Sequence, residues 1–208
     1  IPYAAPPTGE NRFKAPQSVS SWGGIRSAKR CGGVSPQINR FMIPSEVESE
    51  DCLYLNVLTP ALDGKKLPVM IWIHGGMFVI GSGSARLYRN FEFVKEQDVV
   101  LVTINYRLGP FGFLYFGGLQ TDTTDFDDNL AIRDQVAAIE WVIDNIAQFG
   151  GDPSNLTLWG QSAGATAVLT LLTVPSLQGK IKGAIAQSPS YHSTWSPEEA
   201  TWNTRRFL

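Results

Sequence analysis

The chain has 208 residues, enough for one domain with a sizeable core. Hydrophobic residues make up 43% and charged residues 17%, a globular balance without the signature of disorder. A net charge of −2 supplies no global field to attract nucleic acid or an anionic membrane, and no apolar run is long enough to cross a bilayer. The opening Ile1-Pro2-Tyr3-Ala4-Ala5-Pro6-Pro7 lacks the basic start and apolar run of a secretory leader. There is no initiator Met either, so further upstream sequence is expected. Cys31 and Cys52 allow one intrachain bridge, but two is also a common number for unpaired thiols.

In chain order, residues 1–50 are rich in Pro, Gly and Ser and show no long period, which predicts an irregular wrapping segment. Leu53–Leu58 reads as a strand ended by Thr59-Pro60. Pro68–Ile73 and Val99–Ile104 are nearly continuous apolar runs, the pattern of strands covered on both faces. The first breaks at His74-Gly75-Gly76 and the second at Asn105-Tyr106-Arg107. A long helix is predicted next, started by Asp127 or Asp128 as N-cap and stopped by Gly150-Gly151. Within it Ile132, Val136, Ile139, Ile143 and Ile146 recur at helical spacing and predict its buried stripe. Leu156–Trp159 reads as a strand, Ala163–Leu172 as a helix that Pro175 terminates, and Lys182–Gln187 as a further strand. Apolar strands alternating with helices predict an α/β domain with a mainly parallel sheet flanked by helices. No linker or repeat divides residues 1–208.

The sharpest chemical feature is Gly160-Gln161-Ser162-Ala163-Gly164, placed between a predicted strand and a predicted helix. To attack an ester, a serine hydroxyl needs exposure, a nearby base and a stabilised oxyanion. A tight strand–turn–helix junction gives the exposure, and the N–H of the following residue, Ala163, faces the developing oxyanion. A bare Gly-x-Ser-x-Gly is also what an inert turn looks like; its position raises this one above that reading. His74-Gly75-Gly76-Met77 follows a buried strand, so its successive N–H groups can converge as the second half of an oxyanion hole. The bland alternative there is a plain glycine turn. Asp125, Asp127 and Asp128 fit a helix start, and no His or Cys joins them at metal-ligand spacing. Asn155-Leu156-Thr157 is a glycosylation sequon by pattern, but it runs into a predicted core strand, and no glycan is expected.

Longer segments carry a specific resemblance. Phe149-Gly150-Gly151-Asp152-Pro153-Ser154-Asn155-Leu156-Thr157-Leu158-Trp159-Gly160-Gln161-Ser162-Ala163-Gly164 resembles the nucleophile signature of type-B carboxylesterases, the cholinesterase-like family. Glu50-Asp51-Cys52-Leu53-Tyr54-Leu55-Asn56-Val57 resembles that family's second signature. Ile1-Pro2-Tyr3-Ala4, Arg12-Phe13, Asn105-Tyr106-Arg107-Leu108-Gly109 and Asp134-Gln135 match its habitual segments, so the likeness runs along the chain.

The resemblance implies an α/β-hydrolase fold, incomplete at its C-terminus, in which residues 1–208 are the N-terminal part of a single domain. It implies Ser162 as nucleophile of a Ser–His–Glu/Asp triad, with Gly75, Gly76, Met77 and Ala163 around the oxyanion. The triad acid and His are expected far downstream, because His74 borders the glycine turn and His192 comes too early, reading as a surface-loop residue. The 208 residues alone are therefore expected to be poor catalysts. Ser188 matches a family serine near the acid, so a supporting role or a simple strand-end turn are both open.

Four departures bear on specificity and redox state. Met77 stands where many relatives carry a third glycine, which keeps the N–H but narrows the acyl pocket. Gln161 stands where Glu is usual, removing a charge beside the nucleophile, as in the insect juvenile hormone esterase subgroup. Phe41 is the sole aromatic between Cys31 and Cys52, where cholinesterases place a Trp for cation–π recognition. Gln161 and this loop together favour neutral esters. The family's first disulfide would join Cys52 to a Cys just before Pro-Gln, yet Ser35 holds that place and Cys31 lies four residues earlier. A Cys31–Cys52 bridge stays open; without it the chain resembles the bacterial p-nitrobenzyl esterase-like branch. Secreted and bacterial cytoplasmic locations both stay open, as does oligomeric state. The expected partner is a small-molecule ester, with no cofactor, metal or nucleic acid implied. The rival class is a non-catalytic, neuroligin-like adhesion or binding protein, which the retained Ser162 disfavours.

Overall fold

The computed structural model describes residues 1–38, 47–120, 125–190 and 194–208. Five strands form one sheet in the order β1-β3-β2-β4-β5: β1 Leu55–Leu58, β2 Leu67–Ile73, β3 Val100–Ile104, β4 Gly151–Gln161 and β5 Gly183–Gln187. β1 pairs antiparallel with β3, and every other pairing is parallel. The sheet is thus mixed at one edge and parallel elsewhere, in an α/β-hydrolase arrangement.

Period-2 alternation sorts the side chains of the central strands into two faces. Val69, Ile71 and Ile73, with Val100, Val102 and Ile104 and with Leu156 and Leu158, enter the main core. Against them lie α3 (Leu130–Asn145) and α4 (Ala163–Leu171), through Ala138, Ile139, Val142, Ala167, Val168 and Leu171. The intervening Met70, Trp72, Leu101 and Trp159 face the other side, where Val94 and Phe93 of α1 (Phe91–Glu96) and Tyr88 close a smaller cluster. Both faces are covered, which is why the apolar runs in β2 and β3 read as continuous.

The buried face of α3 differs from the predicted stripe. Ala131, Asp134, Gln135, Ala138, Ile139, Val142 and Ile146 are buried, whereas Ile132, Val136 and Ile143 are only partly buried at its rim. The reason is electrostatic. Arg107, 2% exposed, donates from Nε and Nη2 to both carboxylate oxygens of Asp134 at 2.7 and 2.6 Å, and its backbone N–H adds a third bond. A fully paired carboxylate occupies the helix face that periodicity alone reserves for carbon. The predicted caps also move. Asn129, in the left-handed region at φ 50°, precedes the first turn, while Asp127 and Asp128 serve Ala15 N–H and Arg133 instead. At the other end α3 stops at Asn145 and a 3-10 turn leads to Gly150 at φ 81°.

The first 38 residues wrap the sheet, as their composition predicts. Tyr3 N–H bonds the Leu53 carbonyl and its hydroxyl bonds the Asn105 carbonyl at 2.6 Å, while Arg12 pairs with Glu50. β1 begins two residues later than predicted: Leu53 and Tyr54 meet the wrapping segment at Tyr3 and Pro2, and the Tyr54 carbonyl also accepts from Asn105 N–H just past the end of β3. Beyond the predicted elements the structure adds α2 (Gly109–Phe113) and α5 (Pro197–Phe207). α5 carries a full capping box, with Ser196 accepting from Glu199 N–H, Glu199 accepting from Ser196 N–H, and Pro197 at the first helical position. Among the described residues no helix is long and apolar enough to cross a membrane.

Candidate active site

β4 runs to Gln161 and α4 begins at Ala163, so Ser162 alone makes the reversal. It does so at φ 56°, ψ −124°, a backbone region that L-residues with a side chain rarely occupy. Hydrogen bonds to its backbone hold it there: Ser162 N–H donates to the Gln187 carbonyl at 2.8 Å, and the Ser162 carbonyl accepts from Thr166 N–H at 3.0 Å and from Thr166 Oγ1 at 3.4 Å. The flanking glycines are sterically required. A Cβ at Gly160 would overlap the Gly164 carbonyl, and one at Gly164 would overlap the carbonyl of Ile73 at the end of β2.

That close approach carries the glycine turn to the serine, since β2 and β4 are neighbours in register, Ile73 opposite Gly160. A Cβ at Gly75 would lie 2.6 Å from the Gln161 carbonyl, 3.1 Å from Gln161 Oε1 and 3.2 Å from Ser162 Cβ. The turn then closes on itself, with Val79 and Ile80 N–H both donating to the Gly76 carbonyl at 3.0 Å. Gly76 sits at φ 114°, and Met77 and Phe78 follow at φ 56° and 62°. Met77 is 71% exposed. Ala163 is buried at the first position of α4, with its N–H at the positive end of that helix.

His74 is 1% exposed, with its ring stacked on Tyr106 at 4.4 Å and its Nδ1 2.8 Å from the Gly75 carbonyl. A carbonyl oxygen only accepts, so Nδ1 carries the proton of the neutral ring. Burial holds the imidazole at a pKa of about 4, against the smaller upward pull of that hydrogen bond. A neutral ring whose Nδ1 hydrogen is committed to the turn is unsuited to act as base for Ser162, as its position in the sequence also suggests. Tyr106 donates to the His74 carbonyl at 2.7 Å, and burial pushes its phenol well up. The Asn-Tyr-Arg segment was visible as a family match, but nothing in the sequence tied its Tyr to the turn.

Gln161 and Ser188 are exposed at the strand ends, Ser188 at φ 55° directly after β5. Gln187, which no sequence signal singled out, accepts from Trp159 Nε1 at 2.9 Å. Thr166 Oγ1 and Ser190 exchange two bonds that tie the segment after β5 to α4. His192 and Phe41 lie outside the described residues.

The sequence leaves a Cys31–Cys52 bridge open, and in the structure both are free thiols. Cys52 is fully buried beside the Ser35 hydroxyl, and burial pushes its thiol well up. Ser35 therefore stands where a bridging cysteine would, while Cys31 lies against Arg89, 3.7 Å from its Nη1. Among the described residues no group of His, Cys, Asp or Glu could hold a metal ion.

A sequence model of the carboxylesterase family matches residues 1–207. The chain belongs to that family. It is 43% identical over 212 residues to para-nitrobenzyl esterase of Bacillus subtilis, covering 100% of this chain and 42% of that protein. Phenmedipham hydrolase of Pseudarthrobacter oxydans is 40% identical, with 99% and 42% covered. The solved carboxylesterase EST55 of Geobacillus stearothermophilus superposes with a TM-score of 0.92 at 49% identity, over 100% of this chain and 43% of that one. The chain thus spans less than half the length of the relatives it matches.

Proposed function

We propose that this chain supplies the nucleophile and oxyanion-binding half of a serine carboxylesterase that hydrolyses neutral esters. The observation that carries the reading is the backbone of Ser162: strained, held at a strand–helix junction, and packed against the His74–Ile80 turn. Strain of this kind persists where surrounding structure over-determines it, which is the habit of catalytic residues.

In the proposed reaction the Ser162 hydroxyl attacks the ester carbonyl and its proton passes to a histidine base lying outside these 208 residues. The carbonyl oxygen becomes an oxyanion facing N–H groups of the Gly75-Gly76-Met77 turn and of Ala163. Collapse expels the alcohol and leaves the acyl group on Ser162, which water then releases. Neutral substrates are favoured because the side chain beside the nucleophile is an uncharged amide, Gln161, lying near Gly75. In this reading residues 1–208 are one part of a single hydrolase domain.

The test is hydrolysis of short-chain p-nitrophenyl esters by the longest expressed form, its Ser162→Ala variant and the 208-residue stretch, with fluorophosphonate labelling alongside. Turnover and labelling by the long form, lost in Ser162→Ala, are expected, with little turnover by the 208 residues alone. A folded long form that neither hydrolyses nor labels at Ser162 would leave a binding role as the better reading.

A further inference from the structure

The side-chain amide of Gln37 is paired with the backbone of Gly81 on both sides. Gly81 N–H donates to Gln37 Oε1 at 2.8 Å, and Gln37 Nε2 donates to the Gly81 carbonyl at 3.0 Å. Nε2 also reaches the Ser35 carbonyl at 3.1 Å, so both amide hydrogens and the amide oxygen are engaged by main chain. Gly81 in turn closes over the hydrogen bond between His74 Nδ1 and the Gly75 carbonyl. A Cβ built on Gly81 would lie 2.5 Å from Nδ1 and 2.6 Å from that carbonyl oxygen, and its φ of 111° is one that glycine alone adopts readily.

The Gly75 carbonyl shares a planar, trans peptide unit with the N–H of Gly76. Fixing where the oxygen points therefore fixes where that N–H points, in the opposite direction. His74 Nδ1–H holds the oxygen, Gly81 bounds the space behind it, and Gln37 holds Gly81.

We infer that Gln37 is a positioning residue that aims the Gly76 N–H at the substrate oxyanion, acting through Gly81 and His74. The inference rests on the esterase reading and adds to it a residue far from Ser162 in sequence that touches no reacting atom. An oxyanion donor is worth about 10²–10³-fold in kcat when deleted, so a donor left in place but less firmly aimed costs less, about tenfold.

The experiment uses the longest expressed form containing these residues, with Gln37→Leu and Gln37→Glu. Leu removes the clamp, whereas Glu keeps the acceptor and loses the donor, so it also serves if Leu prevents folding. Steady-state hydrolysis of p-nitrophenyl acetate is read with amide hydrogen exchange of Val79 and Ile80, whose N–H groups bond the Gly76 carbonyl. Expected is a roughly tenfold fall in kcat with KM within about twofold, and faster exchange at both amides. An unchanged kcat, or a rise in KM with kcat intact, overturns the assignment, because neither reports a transition-state donor. If the parent form shows no hydrolysis, the esterase reading fails, and exchange alone decides whether Gln37 holds the turn: faster supports it, unchanged ends it.

Discussion

The carbonyl of Ile73 lies against the α-carbon of Gly164, so closely that a single methyl group has no room between them. This contact joins the last residue of β2 to the second residue of α4 and brings the His74–Ile80 turn to Ser162. Backbone sits on both sides, so neither partner can rotate away. Gly164→Ala is expected to lower stability by about 1–3 kcal/mol, the usual range for overpacking a core. Denaturant midpoints measure the loss. Fluorophosphonate labelling of Ser162 should fall with it, whereas an alanine variant at the exposed Leu172 should leave both unchanged.

Met77 stands in the left-handed region at φ 56° with most of its side chain in solvent. A residue with a Cβ pays about 1–2 kcal/mol for that conformation, while glycine costs about 0.5–1 kcal/mol more than alanine in unfolded-chain entropy. The first figure exceeds the second, so Met77→Gly should stabilise the protein by about 0.5–1 kcal/mol. A thermal melt checks this. A fall in melting temperature would mean that the thioether makes contacts worth more than the strain it imposes.

His74 is buried and neutral with a pKa near 4, against 6.5 for an exposed histidine. The unfolded chain therefore binds a proton there at a higher pH than the folded one does. Its contribution to stability is full above about pH 6.5 and is lost as pH falls toward 4, to a total of about 3 kcal/mol. Chemical denaturation at pH 7 and pH 4.5 should show this loss in the parent. In His74→Phe it should be smaller by about 2–3 kcal/mol, even though that variant is weaker at pH 7. Equal acid sensitivity in the two would show that carboxylates elsewhere dominate the titration.

Much of this was readable from residue order, because the strongest signals are local. The apolar runs of β2 and β3, the glycine-flanked Ser162 and the turn after Ile73 each declare themselves within about ten residues. What could not be read is what depends on pairing across the chain. Asp134 looks like the solvent side of α3 until Arg107 is seen opposite. The amide of Gln37 has no local pattern, since its partner Gly81 lies 44 positions away. The capping box of α5 is the reverse case: Ser196, Pro197 and Glu199 spell a helix start locally, but no apolar stripe follows to extend it.

Ile73 and Gly160 pair across 87 positions of chain, and this separation has a kinetic side. Neither the turn nor the serine is held in place until β2 and β4 are zipped, and between them the chain must also insert β3 and α3. Closing so large a loop is entropically costly and is rewarded only once the strands dock. The site should therefore be among the last parts of the molecule to order during folding, switching on together with the central pairing rather than maturing in stages.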